Sequence, residues 1–131
     1  MIDVPTLRRW IEAADCEVTA EGPTSLRIHP RGPRAAALPP FYAQLSDNWV
    51  LLSMLPMLSS TDYRAEDLAR RLLAANREMR LAKYALDKEG AVVLCAELPT
   101  ESLDASEIAD AVRRVTHYAG RFAADVLKRG E

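Results

Sequence analysis

Residues 65–98 carry an amphipathic run long enough for a helix, followed at once by two short alternating runs, and few folds accept that order. At 100° per residue Ala65, Leu68, Ala69, Leu72, Asn76 and Met79 fall in one arc, with Asp67, Arg70, Arg77 and Glu78 opposite or beside it. Residues 83–86 and 92–98 then read as strands around Asp87-Lys88-Glu89-Gly90, a turn in which Gly90 can take the left-handed backbone. A hairpin is antiparallel by construction, and a helix with one apolar stripe must bury it against a neighbouring layer. The segment therefore predicts helices packed on an antiparallel sheet.

The flanking sequence extends this pattern. Pro5 suits a first helical turn, and Leu7, Trp10, Ile11 and Ala14 recur at helical spacing. Residues 16–20 and 25–29 form a first hairpin around Glu21-Gly22-Pro23, and the prolines of 30–40 make that stretch a loop or an irregular sheet edge. Residues 41–45 and 49–55 form a second hairpin across Ser46-Asp47-Asn48, with Pro56 expected to end it. The later strand is apolar at nearly every position, which predicts cover on both faces or a place at an interface. Thr61 or Asp62 can cap the middle helix. Asp104-Ala105-Ser106-Glu107 resembles a capping box, opening a helix with Ile108, Ala111, Val112, Val115, Ala119, Phe122 and Val126 on one face. The expected fold is α+β: an antiparallel sheet flanked by three helices, in two or three layers, in the order α-β-β-(β)-β-α-β-β-α. With 131 residues and no linker, residues 1–131 are expected to form a single domain.

Hydrophobic residues at 49%, charged residues at 27% and a net charge of −2 exclude a disordered chain and give no electrostatic reason to expect nucleic acid. The longest mostly apolar run, 49–58, is far shorter than the roughly 20 residues of a membrane-spanning helix. Met1-Ile2-Asp3-Val4-Pro5 lacks the basic and apolar parts of a secretory signal, so a cytoplasmic location is expected. Charge is unevenly placed. Arg64, Arg70, Arg71, Arg77, Arg80 and Lys83 lie mid-chain, and Glu97, Glu101, Asp104, Glu107 and Asp110 follow.

Residues that could carry chemistry have plainer readings. Cys16 and Cys95 have no Cys or His at ligand spacing, so neither zinc nor another metal is expected, and no cofactor motif is present. A Cys95–His117 nucleophile fails because His117 lies opposite the apolar face of its helix. His29 reads as a surface residue at a strand end. The carboxylates from Glu97 to Glu107 lack a glycine-turned loop, and a capping role accounts for Asp104 and Glu107. Arg70, Arg77 and Arg80 share a side, but Glu66 and Glu78 offset them and aromatic residues for base stacking are few. Asn76 reads as a structural amide bonded to backbone where helix meets hairpin. Leu73 stands apart: it lies off the apolar arc, beside Arg77 and Arg80, where a partner could cover it.

Leu72-Leu73-Ala74-Ala75-Asn76, the hairpin Tyr84-Ala85-Leu86-Asp87-Lys88-Glu89-Gly90-Ala91-Val92-Val93-Leu94, and then Glu97-Leu98-Pro99 and Leu103 together resemble the YbjN-like family, described as regulators of bacterial sensory transduction. The likeness spans roughly residues 64–122. It implies the fold of type III secretion chaperones and a small, usually dimeric, non-enzymatic protein that binds another polypeptide. A pI of about 5.7 is only mildly acidic for a dedicated secretion chaperone and favours a regulatory or adaptor role. The expected partner is thus a protein, with Leu73, Arg70, Arg77, Arg80, Trp49 and Leu51 as the candidate contact residues. The alternative is a regulatory domain responding to a small molecule held between helix and sheet; a nucleic-acid role ranks behind both.

Overall fold

A computed structural model describes residues 2–59 and 65–127, with the side chains of 65 and 66 left out. The Thr61 and Asp62 caps, Arg64, and the side chains of Ala65 and Glu66 lie outside the described residues. The elements are α1 (Val4–Glu12), β1 (Cys16–Ala20), β2 (Ser25–Pro30), β3 (Phe41–Leu45), β4 (Trp49–Leu58), α2 (Ala65–Glu78), β5 (Ala82–Leu86), β6 (Val92–Pro99) and α3 (Ala105–Phe122). A 3-10 turn at Ala35–Ala37 interrupts the proline-rich connection, and a π-helical turn, Ala123–Leu127, extends α3. The expected antiparallel α+β fold is observed, with four strands before α2.

One six-stranded sheet has the order β1-β2-β3-β4-β6-β5. Every pairing is antiparallel. Alternation decides which side is covered. Val18, Leu26, Ile28, Phe41, Ala43, Leu52, Met54, Tyr84, Leu94 and Ala96 all point into one core, which also takes Leu7 and Ile11 of α1, Leu68 and Leu72 of α2, and Ile108, Val112 and Val115 of α3. The helices thus cover a single face, giving two layers. On β4 the inward residues Val50, Leu52 and Met54 are buried while Leu51, Ser53 and Leu55 remain half-exposed, so within one chain this apolar strand is covered on one face only.

Pro56 does not end β4. The strand continues to Leu58 through an irregularity between Met54 and Leu58 that shifts the register against β6. Proline is tolerated at such a site because an irregularity leaves residues outside the ladder. A second difference concerns α2, where Ala69 is exposed and Ala75 packs on the core instead, so the buried stripe is rotated slightly from the expected arc.

The helix ends follow from their sequences. Asp3 accepts the Thr6 N–H at 2.9 Å at the start of α1. Asp104 accepts the Glu107 N–H at 2.9 Å, while Glu107 accepts the Asp104 N–H at 3.1 Å, which completes the capping box. The hairpin turn forms as expected, with Gly90 at φ 83° and Asp87 Oδ1 accepting the N–H groups of Glu89 and Ala91.

Asn76 joins α2 to the sheet. Its Oδ1 accepts the Tyr84 N–H at 2.8 Å and its Nδ2 donates to the Tyr84 carbonyl at 3.1 Å, the pair of bonds a neighbouring strand would make. Lys83 Nζ donates to the carbonyls of Asn76 and Met79, which are left open at the end of α2. Asn76→Ala is expected to lower stability in urea unfolding by about 1–3 kcal/mol and to speed exchange of the Tyr84 amide. An unchanged midpoint with unchanged exchange would contradict this role.

Candidate protein-interaction surfaces

The outward side of α2 carries the candidate residues nearest in sequence. Leu68 and Leu72 point into the core, and the helical step places Leu73 on the solvent side, 70% exposed. Arg70 precedes it by one turn and Arg77 follows by one, both exposed. Arg77 lies 3.8 Å from Glu78 on a side chain that is otherwise solvated, a pairing too exposed to hold it in place. Ala69 and Ala74 are also exposed, and neither alanine shields Leu73.

Arg71 and Arg80 are differently placed. Arg71 donates to Asp67 at 3.0 Å and to the Leu127 carbonyl at 3.1 Å, which ties α2 to the turn after α3. Arg80 lies beyond the helix end, where its side chain donates to the Met79 carbonyl at 3.2 Å and its N–H to the Tyr118 hydroxyl at 2.9 Å. Tyr118 in turn accepts at its carbonyl from the Tyr84 hydroxyl, 3.2 Å away. The exposed cations beside Leu73 are therefore Arg70 and Arg77.

Trp49 and Leu51 lie on the uncovered face of the sheet. Trp49 is 47% exposed, and Leu51 sits between Gln44 of β3 and Glu97 of β6. The sheet separates this patch from the helix layer, so the six candidate residues form two surfaces rather than one. In the next row of the same face Arg27 stacks over the Tyr42 ring at 5.2 Å, with Tyr42 opposite Ser53 and Ser53 opposite Cys95. Leu81, Leu86 and Leu127 are exposed without a sequence signal for it, Leu127 at the end of the π-helical turn and 40% exposed. Leu81, 41% exposed with φ at +70°, lies in the tight α2–β5 connection, and Leu86, 52% exposed, lies at the end of β5. Their apolar character was legible; their exposure depends on where the elements stop.

The chemical alternatives gain little. Cys16 is buried, and desolvation, followed by the charge of Asp15, pushes its thiol up to about 11, so it stays protonated at neutral pH. Burial and Glu97 likewise raise the Cys95 thiol. Cys95 lies on the open sheet face, whereas His117 is on the solvent side of α3, and the two do not meet. His29 Nε2 lies 3.1 Å from the Thr19 hydroxyl on the adjoining strand. Among the described residues no group of His, Cys, Asp and Glu is arranged to hold a metal, and no helix is long and apolar enough to cross a membrane.

Solved structures place this architecture among known folds. Crystalline YbjN from E. coli, described as "a putative transcription regulator", has 20% identity and a TM-score of 0.69, with 95% of each chain covered. A chain of the HopA1–SchA chaperone–effector complex aligns at TM-score 0.62 and 12% identity over 88% of each chain. A chain of the heterodimeric ExoU–SpcU complex from the type III secretion system of Pseudomonas aeruginosa aligns at 0.59 and 18%, covering 91% of this chain and 96% of that one. At these identities the likeness is one of fold. No curated protein matches the sequence. The family model for YbjN, described as "putative bacterial sensory transduction regulator", matches residues 4–128, and the chain belongs to that family.

Proposed function

We propose that this protein is a non-enzymatic binding module, chaperone-like or a regulatory adaptor, that recognises a partner polypeptide through apolar surface bordered by arginines. The observation that carries this reading is the exposure of Leu73 between Arg70 and Arg77 on a helix whose other leucines are buried. Full burial of one leucine contributes about 1.5–3 kcal/mol. The flanking guanidinium groups would speed encounter with an acidic segment. Family membership supports a regulatory role, and chaperone–effector complexes among the proteins of this fold support a polypeptide partner. Two free cysteines favour the reducing cytoplasm as the working compartment.

Affinity purification from the cytoplasmic fraction, with wild type and Leu73→Asp side by side, tests the surface. The variant should fold normally, because exposed substitutions usually change stability by less than about 0.5 kcal/mol, and should lose its partner by about tenfold or more. Identical recovery with both proteins, or no protein partner with either, would count against the proposal.

The uncovered sheet face around Trp49, Leu51 and Leu55 is proposed as the homodimer contact, because a half-exposed apolar strand gains from cover. Sedimentation at micromolar concentration should give a mass near twice 14.5 kDa. A mass near 14.5 kDa would remove the dimer.

A further inference from the structure

α3 presents a second exposed surface, on a different helix from Leu73. Two adjoining rows run along it at helical spacing, Thr116 and Gly120 following the buried Val112 in one, Arg113, His117 and Arg121 in the other. The connection after β2 rises beside them as a facing wall with Pro33, Ala35 and Leu38. Between wall and helix lies an open groove of about 430 Å³, continued by a second of about 500 Å³ that shares Pro30, Arg31, Thr116 and His117 with it.

The charge of this groove contrasts with that of the chain. Among the described residues Arg31, Arg34, Arg113 and Arg121 line the two openings, against Asp15 as the one lining carboxylate, with Glu17, Asp110 and Asp125 ion-paired from outside the lining, on a protein of net charge −2. Arg31 is 3.7 Å from Asp15 and from Glu17, and Arg113 is 3.8 Å from Asp110, both loose exposed pairs. Arg121 is held more closely, 3.1 Å from Asp125. Arg34 is exposed on the wall, with no side-chain hydrogen bond or ion pair among the described residues.

Gly120 adds an independent observation. It lies within α3, where glycine costs about 1 kcal/mol relative to alanine. Yet a Cβ placed there meets nothing within 4 Å, so no packing requirement of this chain explains the glycine. The missing side chain keeps the groove wide and lets an occupant approach the helix backbone.

We infer that this groove binds an extended polypeptide segment that alternates acidic with apolar side chains. The apolar wall and bare helix suit the apolar side chains, while cations spread along the groove suit carboxylates spaced along a strand-like chain. A small anion would need those cations to converge. Nucleic acid would call for stacking surfaces, and among the described residues no Phe, Tyr or Trp lines either opening. The inference adds a site to the binding module proposed above and does not depend on Leu73.

The test uses the full chain and three fluorescein-labelled probes: a short peptide alternating Asp with Leu, its Lys–Leu counterpart, and an oligothymidylate. The Asp–Leu peptide should bind best and weaken as salt is raised. Its affinity should fall about tenfold or more in Arg34→Glu and in Gly120→Leu. The melting temperature of Gly120→Leu should not fall, and Leu73→Asp should bind the peptide as wild type does. Should Gly120→Leu fail to fold, Arg34→Glu alone decides. Equal binding of the acidic and basic peptides, preference for the oligonucleotide, affinity unchanged in Arg34→Glu, or no binding tighter than about 1 mM would each overturn the inference. Loss of the peptide in Leu73→Asp would overturn the separateness of the two sites.

Discussion

Side-chain alternation along antiparallel strands permits burial of one sheet face without the other, and the rest of this molecule follows from that choice. Three helices occupy the inner face, where Phe41, Leu52, Met54 and Leu94 meet Leu7, Ile108 and Val115. The outer face keeps a mixture of half-exposed apolar groups and charge, from Arg27 and Tyr42 to Leu51 and Glu97. A two-layer protein of this kind has a wet sheet face, a helix layer with solvent-facing stripes, and two sheet edges. The proposed recognition would use one of these.

Both edges are engaged by side chains. At β5, Asn76 takes up both the N–H and the carbonyl of Tyr84. At β1, Arg8 of α1 donates to the Val18 carbonyl at 2.8 Å. Each contact occupies backbone groups that an incoming strand would need, so these edges are poorly suited to strand addition. That is consistent with the side-chain surfaces proposed for binding: the Leu73 stripe of α2, the sheet face around Leu51, and the groove along α3. Asn76 therefore does more than stabilise the α2–β5 corner, since it also occupies the backbone groups of Tyr84 on that edge.

Much of the fold was legible because its signals are local. The Gly90 turn, the Asp104 capping box and the helical spacing of Leu68 and Leu72 each depend on residues a few positions apart. Asn76 was legible for the same reason, being a polar group on an apolar arc in the last turn of its helix. Pro56 misled because its effect depends on a register shift against β6, a strand more than thirty residues away. The site was legible only in part. Helical spacing exposes Leu73 and Arg77, but nothing local says that Arg80 folds back onto Met79 or that Trp49 and Leu51 lie across the sheet from α2. The groove was hidden altogether, because it forms where the proline-rich connection meets a helix eighty residues later.

The account rests on α2 presenting Leu73 to a polypeptide. A photoreactive amino acid at position 73, activated in the source cell, tests that contact directly, with the same group at the core position Leu94 as a control. The account predicts a discrete protein adduct from position 73 and none from position 94. An adduct to nucleic acid, or the absence of any protein adduct from position 73, would contradict it.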